Sequence, residues 1–415
     1  MLRRASLSLL LAGILSAQYN SAPIAAGRIA LAHLLAGRYA ELADLFTPEL
    51  RRQLTEDVMR MQIGPQLQSL GAFQKTGEPT SQPVDQMTVV TIPAKFANAA
   101  MDWRFTVNAD GKIAGLFFQP AEQAESTEPQ HAPYSRPERF REREVTIGDN
   151  WKLPGTLTVP TSTGAVAGVV LVHGSGPQDQ DETIGANKPF RDLAEGLASR
   201  GIAVLRYEKR TKVYAARMAA LKSLTVEQET VEDAVKATAL LRAQPEISSA
   251  RVFVLGHSLG GYMAPRIARQ DSRLAGLILM AANARPLGEL LSDQLQWMGL
   301  TGTQLTKAKA DVLNALPPSY MDDLSSYNPM QEASKLALPM LVLQGERDYQ
   351  VTMRDFNLWR AELTGRWNVT FRSFPALNHL FISGQGKSLP AEYTEPGHVA
   401  SEVIDSIAGW LARAR

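Results

Sequence analysis

The residues Gly256-His257-Ser258-Leu259-Gly260-Gly261 follow directly on the apolar run Val252-Phe253-Val254-Leu255. A serine so spaced between Gly256 and Gly260, after a strand pattern and before a helical one, suits a nucleophile on a sharp turn. Only glycine lets the neighbouring segments pass so close. A serine hydroxyl is a weak nucleophile at neutral pH and needs a histidine base steadied by a carboxylate. Leu341-Val342-Leu343-Gln344 leads into Gly345-Glu346-Arg347-Asp348, and Phe371 to Phe374 leads into Leu377-Asn378-His379-Leu380-Phe381. Asp348 and His379 thus each fall just past a strand, as Ser258 does. The chemistry implied is acyl transfer to water: His379 moves the proton of Ser258, and Asp348 holds the imidazole tautomer. His398 is the competing base, while Glu346 and Asp355 are the competing acids. His33, His131, His173 and His257 read as surface or core histidines.

Charge on an acyl oxygen needs preorganised donors. The Leu259 amide, at the start of the helix after the turn, is one. The Ser175 amide is the other, in the loop His173-Gly174-Ser175-Gly176-Pro177 that follows Val169 to Val172. That loop lacks the Gly-Lys-Ser/Thr ending of a phosphate cradle, and no H-E-x-x-H or clustered His/Cys spacing occurs. Neither a metal nor an organic cofactor is expected. Gln178 to Thr183 reads as a loop bonding its own backbone, with a place at the mouth of the site as the alternative.

These residues must be positioned by strands that share an edge. From residue 141 onward, short apolar runs at 156–159, 167–173, 202–206, 252–257, 274–281, 338–344 and 369–374 alternate with helical patterns. The helices are expected at 190–200, 226–243, 259–270, 353–363 and 399–413. This is the signature of an α/β domain with a largely parallel sheet, whose ligands bind beyond the carboxyl ends of the strands.

Ahead of it, 18–118 reads as a small α+β domain. Ile29, Leu34, Leu35, Leu42, Leu45 and Phe46 recur at helical spacing up to residue 69, Thr47-Pro48 cap a helix, and alternating runs flank an Asp110-Gly111 turn. Residues 119–140, with Pro120, Pro129, Pro133 and Pro137 among polar residues, read as a linker. Residues 1–17 have the layout of a secretory signal: Arg3 and Arg4, an apolar run Leu7 to Leu15, then Ser16-Ala17. A secreted or periplasmic address is expected, with no stable membrane insertion after cleavage. The absence of cysteine among 415 residues is compatible with export. A net charge of +1, without a basic block, points away from nucleic acid and toward a small acyl substrate.

Together, the serine turn, the chain order Ser258, Asp348, His379 and the stretch His173 to Thr183 resemble the α/β-hydrolase superfamily in a bacterial carboxylesterase-like branch. The resemblance covers roughly 141–415. It implies Ser258, Asp348 and His379 as the triad and the Ser175 and Leu259 amides as the oxyanion hole. Residues 22–118 resemble a small domain of unknown function fused ahead of such hydrolases, and 283–335 occupy the position of the superfamily's helical cap. His257, Trp297 and Met298 are the candidate pocket residues. An esterase is the leading expectation. A peptidase, amidase or lactonase would use the same triad, and a non-catalytic binding protein is the expectation from another class.

Overall fold

The computed structural model describes residues 22–414 apart from 85, 121–130, 163, 220 and 222. The proposed signal at 1–17 and residues 121–130 of the proposed linker lie outside the described residues. The chain divides into two compact units, Met1–Glu128 and Pro129–Arg415.

In the first unit, a helix over 22–35 and short helices at Tyr39–Asp44 and Pro48–Gln53 precede an antiparallel sheet. Thr47 caps the third, its hydroxyl accepting from Leu50 N at 3.3 Å with Pro48 at the first helical position. The sheet comprises β1 (Phe73–Thr76), β2 (Thr80–Val84), β3 (Met87–Phe96), β4 (Ala100–Val107) and β5 (Ile113–Pro120), in order β1-β3-β4-β5, with β2 also on β3. Alternate residues of β4, namely Met101, Trp103, Phe105 and Val107, bury against Ala30, Leu31, Leu34 and Leu42. The buried helix face thus runs through Ala30, Leu31 and Leu34, and Ile29 is exposed, contrary to the helical stripe read from the sequence. At the β4–β5 turn Gly111 takes φ +76°, while the Asn108 side chain accepts from the amides of Asp110 and Lys112.

The second unit is a mixed eight-stranded sheet. Its strands are β6 (Phe140–Ile147), β7 (Leu153–Pro160), β8 (Val166–Val172), β9 (Ala203–Tyr207), β10 (Ile247–His257), β11 (Gly276–Met280), β12 (Met340–Gly345) and β13 (Val369–Phe374). The order is β13-β12-β11-β10-β8-β9-β7-β6, with β6 and β9 antiparallel to β7 and the rest parallel. The inner strands are covered on both faces, which is why they read as unbroken apolar runs. Val170, Val172, Val254, Leu279 and Val342 pack on one side with the helices Glu232–Arg242, Leu259–Gln270 and Met353–Glu362. Val169, Leu171, Leu255, Ile278 and Leu343 pack on the other with Pro189–Ala198 and Ser401–Arg413.

One expectation changes, and the helical cap falls where it was expected. The stretch taken as linker up to 140 is shorter, because β5 extends through Pro120 and residues 131–139 dock on the second unit. There Tyr134 Oη donates to Val399 O at 2.7 Å, and Ser199 Oγ accepts from Arg136 N at 2.8 Å. Strand β6 follows at once. The cap position between β11 and β12 holds four helices, Leu287–Trp297, Gly302–Ala315, Pro318–Ser326 and Pro329–Lys335.

Candidate active site

Ser258 stands between β10 and the helix Leu259–Gln270 with φ 53° and ψ −117°, a conformation side chains rarely adopt. Its amide donates to Met280 O at 2.9 Å, tying the turn to β11. A Cβ on Gly256 would run into the Gly260 carbonyl, and one on Gly260 into the Val172 carbonyl, so both glycines are required by close approach. Among the described residues, the non-glycine positions with positive φ are Glu182, Ser258, Ala281 and Phe381. All lie past β8, β10, β11 or β13, on the sheet edge that carries Ser258. Local strain is concentrated where chemistry is expected.

Asp348 and His379 meet on that edge. His379 Nδ1 lies 2.7 Å from Asp348 Oδ2 with both side chains buried, so Nδ1 donates to the carboxylate and Nε2 is the nitrogen turned away from it. Asp348 Oδ2 also accepts from Gln344 Nε2 at 3.1 Å, and Oδ1 accepts from the amides of Gln350 and Val351 at 2.8 and 3.0 Å. The His379 loop is stiffened by Asn378, whose Oδ1 accepts from the amides of Leu380 and Ile382. The competing residues are engaged elsewhere. Glu346 accepts from Ser373 Oγ, Asp355 is buried against Arg285, and His398 Nδ1 faces Asp192 on the helix Pro189–Ala198 at 3.0 Å.

The loop after β8 brings Ser175 to the same place: a Cβ on Gly174 would stand 3.2 Å from Ser258 Cβ. Among the described residues no acceptor meets the Ser175 amide, and the Leu259 amide opens its helix with no carbonyl one turn back. The loop Gln178 to Thr183 bonds itself, Asp179 Oδ1 accepting from the amides of Asp181 and Thr183. One member points inward: Glu182 is buried, and its Oε1 accepts from Gly174 N at 2.6 Å.

His257 is not a pocket residue. It is buried beneath the site, with Nε2 donating to His379 O at 3.0 Å, its ring 4.6 Å from that of His379, and Nδ1 2.9 Å from Glu182 Oε2. Burial works against a charged His257, but the Glu182 carboxylate, the His379 carbonyl and the Asp348 charge together outweigh it and hold the imidazole pKa above its ordinary value. In turn, burial pushes Glu182 up, and the charge and hydrogen bond of His257 together with His173 and the Gly174 amide outweigh that to leave its pKa lowered. His173, by contrast, is pushed down to about 4 by burial and donates Nε2–H to Asp179 O as a neutral ring.

Trp297 lines a cavity of about 380 Å³ with Asp293, Gln296, Tyr349, Thr352 and Lys387, its ring stacked on Tyr349 and its Nε1 donating to Ser388 O. Ser258, His379 and Asp348 are not among those lining residues; Tyr349, which is, follows Asp348 in the chain. Met298 departs from the expectation: it is exposed at the helix end and lines none of this cavity. Among the described residues no group of three His, Asp or Glu side chains could hold a metal ion.

Residues 197–395 match the prolyl oligopeptidase family, and 30–116 match a family of unknown function, DUF3887. The chain is 44% identical to the esterase EstD of Thermotoga maritima over 336 residues, which span 77% of this chain and 78% of that one. The chain is an α/β-hydrolase of the prolyl oligopeptidase family. Among solved structures, an esterase of Pyrococcus furiosus aligns at 17% identity over 66% of this chain and 91% of its own, with a TM-score of 0.43. A puromycin-hydrolysing peptidase of Mycobacterium tuberculosis aligns at 17% over 80% and 46%, with a TM-score of 0.46. As a member of this family the protein is a hydrolytic enzyme, with a separate α+β domain ahead of its hydrolase domain.

Proposed function

We propose that this hydrolase is a serine esterase in which Ser258, His379 and Asp348 form the catalytic triad. The observation that carries the reading is the strained Ser258 turn on the same strand edge as a buried His379–Asp348 pair. In this mechanism His379 Nε2 takes the Ser258 proton as Oγ attacks the acyl carbonyl, and the oxyanion forms between the Ser175 and Leu259 amides. His379 then protonates the departing alkoxide, leaving an acyl group on Ser258. Water, activated by the same nitrogen, releases the acid and restores the serine. EstD, named an esterase, supports an ester as the bond cleaved. The family's name favours a second reading, amide or peptide cleavage with the same groups. Residues 1–17 support export before the enzyme acts.

The test is hydrolysis of p-nitrophenyl esters, matched anilides and lactones by the purified protein and its Ser258→Ala variant, with a fluorophosphonate probe and intact mass. Ester turnover, one adduct on Ser258 and loss of both in Ser258→Ala are expected. Ester turnover that survives Ser258→Ala removes the nucleophile assignment, and faster anilide than ester turnover moves the substrate class to amides.

A further inference from the structure

The Gly174–Ser175 peptide carries more buried charge around it than a loop needs. Gly174 N donates to Glu182 Oε1 at 2.6 Å, and Gly174 O accepts from Lys209 Nζ at 2.7 Å. Both side chains are all but inaccessible, Glu182 at 1% and Lys209 at 2% exposure. A buried ammonium is costly unless paired, and Lys209 lies 2.9 Å from the buried Glu229 carboxylate. Glu229 in turn accepts from Tyr320 Oη at 2.5 Å, and Tyr320 belongs to the cap helix Pro318–Ser326. Burial, reinforced by the Glu229 charge, holds the Tyr320 hydroxyl well above its ordinary pKa, so it remains the donor.

We propose that Lys209 is a positioning residue of the oxyanion hole, aiming the Ser175 amide by holding the carbonyl of the same peptide unit, with Glu229 and Tyr320 as its supports. A trans peptide is planar, so its C=O and N–H point in opposite directions. Every described peptide bond is trans. Drawing Gly174 O into the interior toward Lys209 therefore turns Ser175 N–H outward, on the side where Gly174 meets Ser258. The ammonium also polarises the peptide, which makes its N–H a stronger donor than an isolated amide. Glu182 removes the neighbouring Gly174 amide from play, so Ser175 rather than Gly174 faces the developing charge. Lys209 is set for this by its place just past the carboxyl end of β9, with its own amide donating to Gln178 O at 3.0 Å. The chain Tyr320, Glu229, Lys209 links the cap to the peptide that stabilises the transition state. The element that would select substrate thereby bears on turnover as well as on binding.

This inference rests on the triad reading and on Ser175 as an oxyanion donor, and the experiment separates the two. Lys209→Met/Glu229→Gln removes both charges together, so neither is stranded. With p-nitrophenyl butyrate, kcat is expected to fall about a hundredfold, as for loss of an oxyanion donor, with KM within about threefold. Affinity for a trifluoromethyl ketone, which mimics the tetrahedral intermediate, should weaken by a similar factor. Tyr320→Phe keeps both charges and folds with less risk; it should show the same signature at about three- to tenfold. Thermal unfolding identifies the folded variants. Wild-type kcat and ketone affinity in either folded variant overturn the positioning role, as does a loss confined to KM. If those variants are unimpaired while Ser258→Ala is inactive, the inference alone fails. If Ser258→Ala stays active, the triad reading fails instead.

Discussion

Two histidine–carboxylate pairs in the hydrolase unit use the same bond and differ in everything around it. His379 and Asp348 meet at 2.7 Å with side chains 4% and 0% exposed, whereas His398 and Asp192 meet at 3.0 Å with 32% and 8% exposed. In each the Nδ1 faces the carboxylate, so each could leave Nε2 as a base. Asp348, however, is held by its own loop at the end of β12, on the edge of the Ser258 turn. Asp192 lies on the helix Pro189–Ala198 and accepts from Val399 N, clipping the start of the last helical segment to the sheet's flank. A histidine and a carboxylate in contact are therefore not sufficient for the chemistry. In the proposed mechanism the strand end that carries the pair decides it: His379 and Asp348 share the edge of the strained Ser258 turn, and His398 and Asp192 do not.

Substitutions in the two pairs separate them most directly. Ser258→Ala and His379→Ala should each reduce ester kcat about a millionfold, toward the residual rate given by binding and the oxyanion amides. Asp348→Asn should cost roughly ten-thousandfold as tautomer control is lost, while His398→Gln leaves kcat within about twofold. Equal losses in Asp348→Asn and His398→Gln, read as initial rates, would erase the distinction. A buried carboxylate with a purely structural partner should separate stability from rate. Arg285, 3% exposed, pairs with Asp355 at 2.8 Å and with Asp293 at 2.6 Å, so Asp355→Ala removes its buried partner and leaves the half-buried one, and should cost about 3 kcal/mol in denaturant unfolding. Full stability in that variant would show that the cluster with Asp293 suffices without Asp355.

The third pair, His257 with Glu182, should reveal itself through pH. The folded pKa of His257 is raised, so its stabilisation is complete below the unfolded value near 6.5 and lost as pH rises through the folded value. Glu182 is depressed, so its stabilisation is present above the unfolded value near 4.5 and lost as pH falls through the folded value. The difference in Tm between the wild-type enzyme and His257→Gln should therefore peak in mildly acidic to neutral solution and shrink on both sides. A difference that stays flat from pH 4 to 9 would show that no ion pair forms. The smallest effect should be in the cap: Trp297→Ala should change relative kcat/KM across an acyl-chain series by about tenfold, and Met298→Ala by less than about twofold, since Met298 is exposed. The reverse ranking in an ester panel would exclude the Trp297 cavity as an acyl site.

The inner strands and the helices between them were legible because burial on both faces leaves apolar runs that stand out against amphipathic helices. Helix Leu259–Gln270 runs between the residues expected for it, since a glycine-bounded turn starts it. Strand β6 was not legible. Its residues Arg141, Glu142, Arg143 and Glu144 put four charges in a row, as suits an edge strand that must not pair with another chain. The extent of the linker was misread for a related reason: prolines and polar residues between 131 and 139 look solvated, yet Tyr134 and Arg136 find partners far along the chain. Position next to Ser258 suggests exposure for His257, but the end of β10 is covered on both faces and His257 is buried.

The sequence by itself determined which residues could be nucleophile, base and acid, since residue type, glycine spacing and position after a strand are local properties carried by consecutive residues. Only the tertiary structure decided which carboxylate meets His379, which histidine is a clip, and that Lys209 grips the Gly174–Ser175 peptide while Glu182 holds the Gly174 amide before it. Those contacts join residues from 8 to 206 positions apart, through charges buried by other elements of the fold. A lysine two residues past a strand carries no local mark of burial. Its meaning depends on the carbonyl and the carboxylate that close around it.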